Sequence, residues 1–208
     1  MEGQINKQVA KLEKQIGKLE KKGKDVGDLK ERVTELNQSK TDIASMRTDE
    51  KTEYRYESLG SKEAKGLNLV GPSTLSTGSN AKGDGVVTMF TESNMGSQLH
   101  ETRHGGQNAR GEFNISTLAN YGVADEISAY KAQYSWGGKL EFRDQPASDI
   151  MMQRLMAGQD PTKVIINNIR QITGSTVNSM VDPGFNPIYP PRDAAGNLII
   201  PLDVWNKN

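Results

Sequence analysis

The chain has 208 residues, the length of one domain or of one domain with a small appendage, and it is lean: 34% hydrophobic, 21 glycines, 8 prolines and a mean hydropathy of −0.67. Twenty-six basic residues balance 26 acidic ones, so no chain-wide positive field favours nucleic acid or an anionic membrane. Cysteine is absent and histidine occurs twice, which excludes disulfides, iron–sulfur clusters and thiol catalysis and leaves any metal to nitrogen and oxygen ligands.

Met1-Glu2-Gly3-Gln4 lacks the basic start and apolar run of a secretory signal, and no stretch approaches the roughly 18 apolar residues of a membrane span. The expectation is a soluble protein, or a piece of a longer chain that carries any targeting device elsewhere. Ile5, Val9, Leu12, Ile16 and Leu19, spaced 4, 3, 4 and 3 apart, draw one stripe along a helix whose other faces are rich in lysine. The run Lys21–Asp25 breaks the pattern, and Val26, Leu29, Val33, Leu36, Ile43 and Met46 resume it in another phase. A phase change across Gly23 predicts a helical hairpin, read as a solvated arm. The first helix is basic and the second carries Asp25, Asp28, Glu31, Glu35 and Asp42, so antiparallel packing would match opposite charges.

Glu53–Leu59 alternates as a short strand does, and Gly60–Asp84 reads as a loop or a pair of weak strands. Gly85–Thr91 is a β-branched, apolar strand, buried or at an edge. Ser93 and Asn94 supply the cap of a helix through Met95, Leu99 and Thr102, which Gly105-Gly106 should end. Further helices are predicted at about Ala124–Trp136, Ser148–Ala157 and Pro161–Ile172. The five-proline tail, Asp182–Asn208, is expected to wrap over the domain in extended form.

Both histidines fall in Leu99-His100-Glu101-Thr102-Arg103-His104, an H-E-x-x-H arrangement. On an α-helix, positions four apart share a face, so two imidazoles can grip one ion. Zinc suits them, and Glu101 beside the first ligand is placed to take a proton from water attacking a carbonyl. Chance alignment of two histidines and the intervening glutamate is about one in 1,500. With no cysteine or further histidine, the third ligand is expected to be a carboxylate or, less often, an amide or tyrosine. Glu126 is preferred, because Glu126, Ala129, Tyr130 and Gln133 share a helical face with small Ala129 permitting close approach, whereas Asp125 suits the cap. Asp125 is the alternative, and Glu112, in a Gly-flanked loop, a third candidate. Tyr121, Tyr130, Tyr134 and Arg103 are candidate oxyanion donors, and the strand Val86–Thr91, if at an edge, could hold an extended substrate by main-chain bonds.

At these residues the sequence resembles the zincin metallopeptidases, and its third ligand is similar to that of the glutamate-zincin branch, with Tyr130 where the best-known members carry an acid. The pair of segments Leu99-His100-Glu101-Thr102-Arg103-His104-Gly105-Gly106-Gln107 and Asp125-Glu126-Ile127-Ser128-Ala129-Tyr130-Lys131-Ala132-Gln133-Tyr134-Ser135 resembles the metallopeptidase-like C-terminal domains of bacterial RHS-repeat and other polymorphic toxin proteins, over about residues 85–136. That resemblance implies an effector domain of a larger secreted protein, delivered to a rival cell, acting on a protein or peptide and neutralised by a cognate immunity protein. The expected fold is α+β: a coiled-coil-like hairpin over 1–50, then over 51–208 a small zincin-like domain with a short sheet and an H-E-x-x-H helix. The expected activity is that of a zinc (Zn2+) peptidase, with His100, His104 and Glu126 as ligands and Glu101 as general base. The competing readings are a non-catalytic interaction module that binds through the arm from Gln4 to Arg47, and a metal hydrolase acting on a non-peptide amide or ester.

Overall fold

The 4-3-4-3 stripe folds as a helix, α1 (Glu2–Glu20), and a six-residue turn returns the chain as α2 (Gly27–Thr48). The computed structural model describes residues 1–208, an α+β fold of eight α-helices and two three-stranded sheets. After the helical pair come β1 (Thr52–Ser58), α3 (Lys62–Gly66), β2 (Ser73–Ser79), β3 (Gly85–Thr91), α4 (Met95–Ala109) and α5 (Val123–Gly137). Then follow β4 (Leu140–Asp144), α6 (Ser148–Met156), β5 (Lys163–Ile166), a 3-10 turn (Ile169–Gln171), α7 (Gly174–Asn178), β6 (Met180–Val181) and α8 (Leu202–Trp205).

The helical pair is not a solvated arm. Its stripe residues Ile5, Val9 and Leu12 join Leu36 in one core with Leu99 of α4 and Ala132 of α5, and burying each of the larger side chains contributes about 2 kcal/mol. The expected charge match is also reversed. The ion pairs between the two helices put α2 cations on α1 acids, Lys30 on Glu20 at 2.7 Å and Arg47 on Glu2 at 2.8 Å. The acids of α2 turn to other elements: Glu35 and Asp42 to Arg103, Asp28 to the Tyr134 hydroxyl and the Ile169 amide, Glu31 to Arg170.

That packing explains why Gly105-Gly106 does not end the motif helix. Both lie inside α4, which runs to Ala109. A Cβ on Gly106 would sit 2.4 Å from the Asp42 Cβ and one on Gly105 2.5 Å from the Met46 Sδ, so the glycines let α2 and α4 approach closely. Their flexibility, which normally disfavours a helix interior by about 1 kcal/mol, is outweighed by the contact it allows.

The first sheet has the order β1-β3-β2, with β1 parallel and β2 antiparallel to β3. Thus β3 is central and its main-chain groups are engaged on both sides, contrary to a substrate-holding role for Val86–Thr91. The edges belong to β1 and to β2, the latter in the segment read as loop or weak strands. The second sheet, β5-β4-β6, closes a core of Tyr134, Leu140, Ile166, Ile169, Ile172 and Met180. The helix expected over Pro161–Ile172 is instead β5 and the 3-10 turn: Val164-Ile165-Ile166 is β-branched throughout, and the Asn168 side chain caps the turn that follows. The tail does more than drape the surface. Trp205 is fully buried with Val177 and Ile200, and the Asn208 carbonyl accepts the Ala124 N–H. No helix is long and apolar enough to cross a membrane.

Candidate metal centre

Helix α4 begins where the Asn94 side chain accepts the Ser97 N–H at 2.7 Å. From that start the helical turn stacks His100 and His104, whose Nε2 atoms approach to 3.3 Å. Helix α5 lies close alongside, where Gly96 has no side chain to meet the Gln133 carbonyl and Ala129 only a methyl. Glu126, in the first turn of α5, therefore reaches both rings: Oε1 is 3.3 Å from His104 Nε2 and Oε2 is 3.5 Å from His100 Nε2. All three side chains are buried, and their ligand atoms lie within 4.8 Å of one another.

These separations fit zinc. A tetrahedral ion with bonds of about 2.0–2.1 Å holds its ligand atoms about 3.3–3.4 Å apart; the two nitrogens stand 3.3 Å apart, and each has one of the two carboxylate oxygens at 3.3 or 3.5 Å. The donor set, two imidazoles and one carboxylate, is also one that zinc accepts. Glu126 Oε2 has no hydrogen-bond partner despite its burial, and such a carboxylate oxygen is costly unless a cation shares it.

The rings are oriented by packing, since neither Nδ1 finds a partner. Tyr130 stands edge-on to His100 with centroids 4.5 Å apart, and Phe113 and Tyr121 stand edge-on to His104. The Tyr121 hydroxyl donates to Glu126 Oε1, and the Tyr130 hydroxyl meets that of Tyr189 at 3.3 Å. Tyr189 in turn stacks on Trp205, its ring tilted only 10° from the indole. Nothing in the Pro-rich tail signals that Tyr189 and Trp205 back the centre. An aromatic between prolines carries no periodicity.

Burial alone would raise the Glu126 carboxyl, but the charge of His104 and the approach of both imidazoles hold it well below the usual carboxylate range. Burial works against a charged His104, yet the Glu126 carboxylate more than offsets it, and the imidazole is pushed up to about 9. Burial and the Glu126 charge lift Tyr121 and Tyr130 above ordinary phenols, so both stay protonated donors.

Glu101 is buried beside the cluster, and burial raises its carboxyl above the ordinary range against the pull of the two histidines. Its Oε2 accepts the Thr74 hydroxyl at 2.7 Å, a contact from β2 that no motif announces. Arg103 is not an oxyanion donor. One position before His104, it is rotated about 100° away, and it bonds Asp42, Glu35 and Ser128 instead. Tyr134 is likewise turned away, to Asp28. Asp125 takes the cap role, accepting the Gly122 N–H at 2.9 Å and the Gln107 side chain at 2.8 Å. Glu112 is exposed and paired with Arg110.

No family model, no curated protein and no solved structure matches this chain.

Proposed function

We propose that the protein is a zinc-dependent peptidase, with His100, His104 and Glu126 as ligands and Glu101 as general base. The observation that supports it most is the convergence of three buried ligand side chains, their ligand atoms within 4.8 Å of one another, beside the separately held carboxylate of Glu101. Zinc bound there would acidify water and polarise a carbonyl. Glu101, its proton affinity raised by burial, takes the proton of the water that attacks the peptide carbonyl and then hands it to the departing amine. Tyr121 holds Glu126 in place, and Tyr130, against His100, is the remaining candidate donor to the carbonyl oxygen as it gains charge. The open edge of β2 offers an extended peptide a row of main-chain partners next to Glu101.

The resemblance of the motif region to toxin C-terminal domains extends the proposal to a delivered effector with an immunity partner. Growth arrest on cytoplasmic expression of the wild type, absent with Glu101→Gln, would support that extension. The peptidase itself is tested by metal analysis and turnover. Purified protein should carry about one zinc per chain, and Glu101→Gln should keep the zinc while losing about 100-fold to 10,000-fold in kcat. Equal activity in that variant overturns the mechanism. The interaction-module reading has no observation in its favour, since the apolar stripe of α1 already lies in the shared core.

A further inference from the structure

We propose that Thr74 is a positioning residue that aims the general base, and that it ties the aim of that base to the strand on which substrate docks; this rests on the peptidase reading above. Thr74 lies directly opposite Met89 in the antiparallel β2–β3 pair, and residues so opposed point to the same face of a sheet. That face meets α4, because the Met89 sulfur lies 3.0 Å from where a Cβ on Gly105 would be. The Thr74 hydroxyl consequently reaches Glu101, 2.7 Å from Oε2 and 3.2 Å from the carbonyl oxygen of the same residue.

No other hydrogen bond holds the Glu101 carboxylate. A glutamate has three rotatable bonds, and burial without a partner would leave its carboxylate in competing rotamers. One charge-assisted bond from a β-branched residue, itself stiff about χ1 and anchored in a strand, selects among them. The same strand is an edge of its sheet, and its ladder shifts register by one residue between Ser76 and Gly78, just beyond Thr74. A shift of that kind twists a strand and re-aims its side chains. A peptide pairing along the edge would therefore be set in register with the carboxylate that Thr74 holds.

The test compares Thr74→Val, which keeps shape and removes the donor, with Thr74→Ser, which keeps the donor. Each is assayed as zinc-loaded full-length protein on the quenched fluorogenic decapeptide that the wild type cleaves fastest from a random mixture. Thr74→Val should lose about 10-fold to 100-fold in kcat, the scale of a misaimed catalytic group, with KM within about twofold and zinc content unchanged. Thr74→Ser should recover most of the loss. In parallel, the carboxyl stretch of Glu101, isolated by subtracting the infrared spectrum of Glu101→Gln, should shift in Thr74→Val and not in Thr74→Ser. Unchanged kcat, an unshifted stretch, or zinc lost from Thr74→Val overturns the assignment. A zinc-loaded wild type that cleaves no peptide while the stretch shifts overturns the peptidase reading and leaves the hydrogen bond standing, so the two failures are distinguishable.

Discussion

Asp42 of α2 and Arg103 of α4 meet through an Nε–Oδ2 contact of 2.7 Å, and both are buried. Arg110 reaches the other oxygen of the same carboxylate at 2.7 Å, and Glu35 takes a second arm of Arg103. The motif helix is thus tethered to the helical pair by its charged face, while His100 and His104 face α5.

Breaking such a pair by removing one partner leaves the other charge buried. Asp42→Ala should lower unfolding free energy by about 3–5 kcal/mol, measured by urea titration. A loss below about 1 kcal/mol would mean that Arg103 and Arg110 find water instead. Replacing Arg103 by Met together with Asp42 by Leu should cost less than Asp42→Ala alone, because the fully buried charges of the pair leave together, while Arg110 keeps Glu112 and the Glu35 carboxylate is partly exposed.

The two glycines of α4 should rank differently when replaced by alanine. Gly106→Ala meets the Asp42 Cα at 2.7 Å as well as its Cβ, and backbone cannot step aside, so overpacking of about 1–3 kcal/mol should exceed the gain in helix propensity. Gly105→Ala meets the sulfurs of Met46 and Met89, which are flexible ends. Its melting temperature should fall less than that of Gly106→Ala. The reverse order would refute the close approach of α2 to α4.

Zinc uptake should release a proton and strengthen with pH. His104 titrates at about 9 in the metal-free protein, above its unfolded value near 6.5, and a ligand imidazole must be neutral. Apparent affinity should therefore rise up to about tenfold per pH unit below about 9 and level off above it. In the metal-free protein the raised value stabilises the fold fully below the unfolded pKa, and that contribution is lost as pH climbs through about 9. Chelator competition at pH 7, 8 and 9 reads the first effect, and a flat affinity would contradict the His104–Glu126 pairing.

Three substitutions separate ligand, support and cap. Glu126→Gln should abolish stoichiometric zinc, and Tyr121→Phe, which removes the donor to Oε1, should weaken zinc binding about 10-fold to 100-fold. Asp125→Asn should retain zinc and lose about 1 kcal/mol of stability, since its contacts are the Gly122 amide and Gln107. Metal retained in Glu126→Gln would remove that residue from the ligand set.

The cluster was legible because its chemistry is local. His100, Glu101 and His104 share one helix, and Glu126 sits at the start of the next, where the helical period alone decides which face it shows. The hairpin and β1 were legible from periodicity for the same reason. What stayed hidden depends on distant pairing. Thr74 lies in a run of serine and threonine whose strand exists only because β3 is beside it. The buried face of α2 includes Arg32 and Asp42, which a hydrophobic period assigns to solvent and which partners on α5 and α4 draw inside, and Ser39, whose hydroxyl bonds back to the Glu35 carbonyl. Val164-Ile165-Ile166 could pack as helix or strand, and its pairing with β4 decides for strand.

The reversed ion pairs of the helical hairpin bear on where this protein can be cut. With the acids of α2 committed to Arg103, Tyr134 and Arg170, a fragment starting after Thr48 would expose Leu99 and Ala132 and take Asp42 from both Arg103 and Arg110 of the motif helix. Any rearrangement of genes that moves the His100–His104–Glu126 cluster intact must carry the first two helices with it, because the boundary expected after residue 50 is a seam through the core.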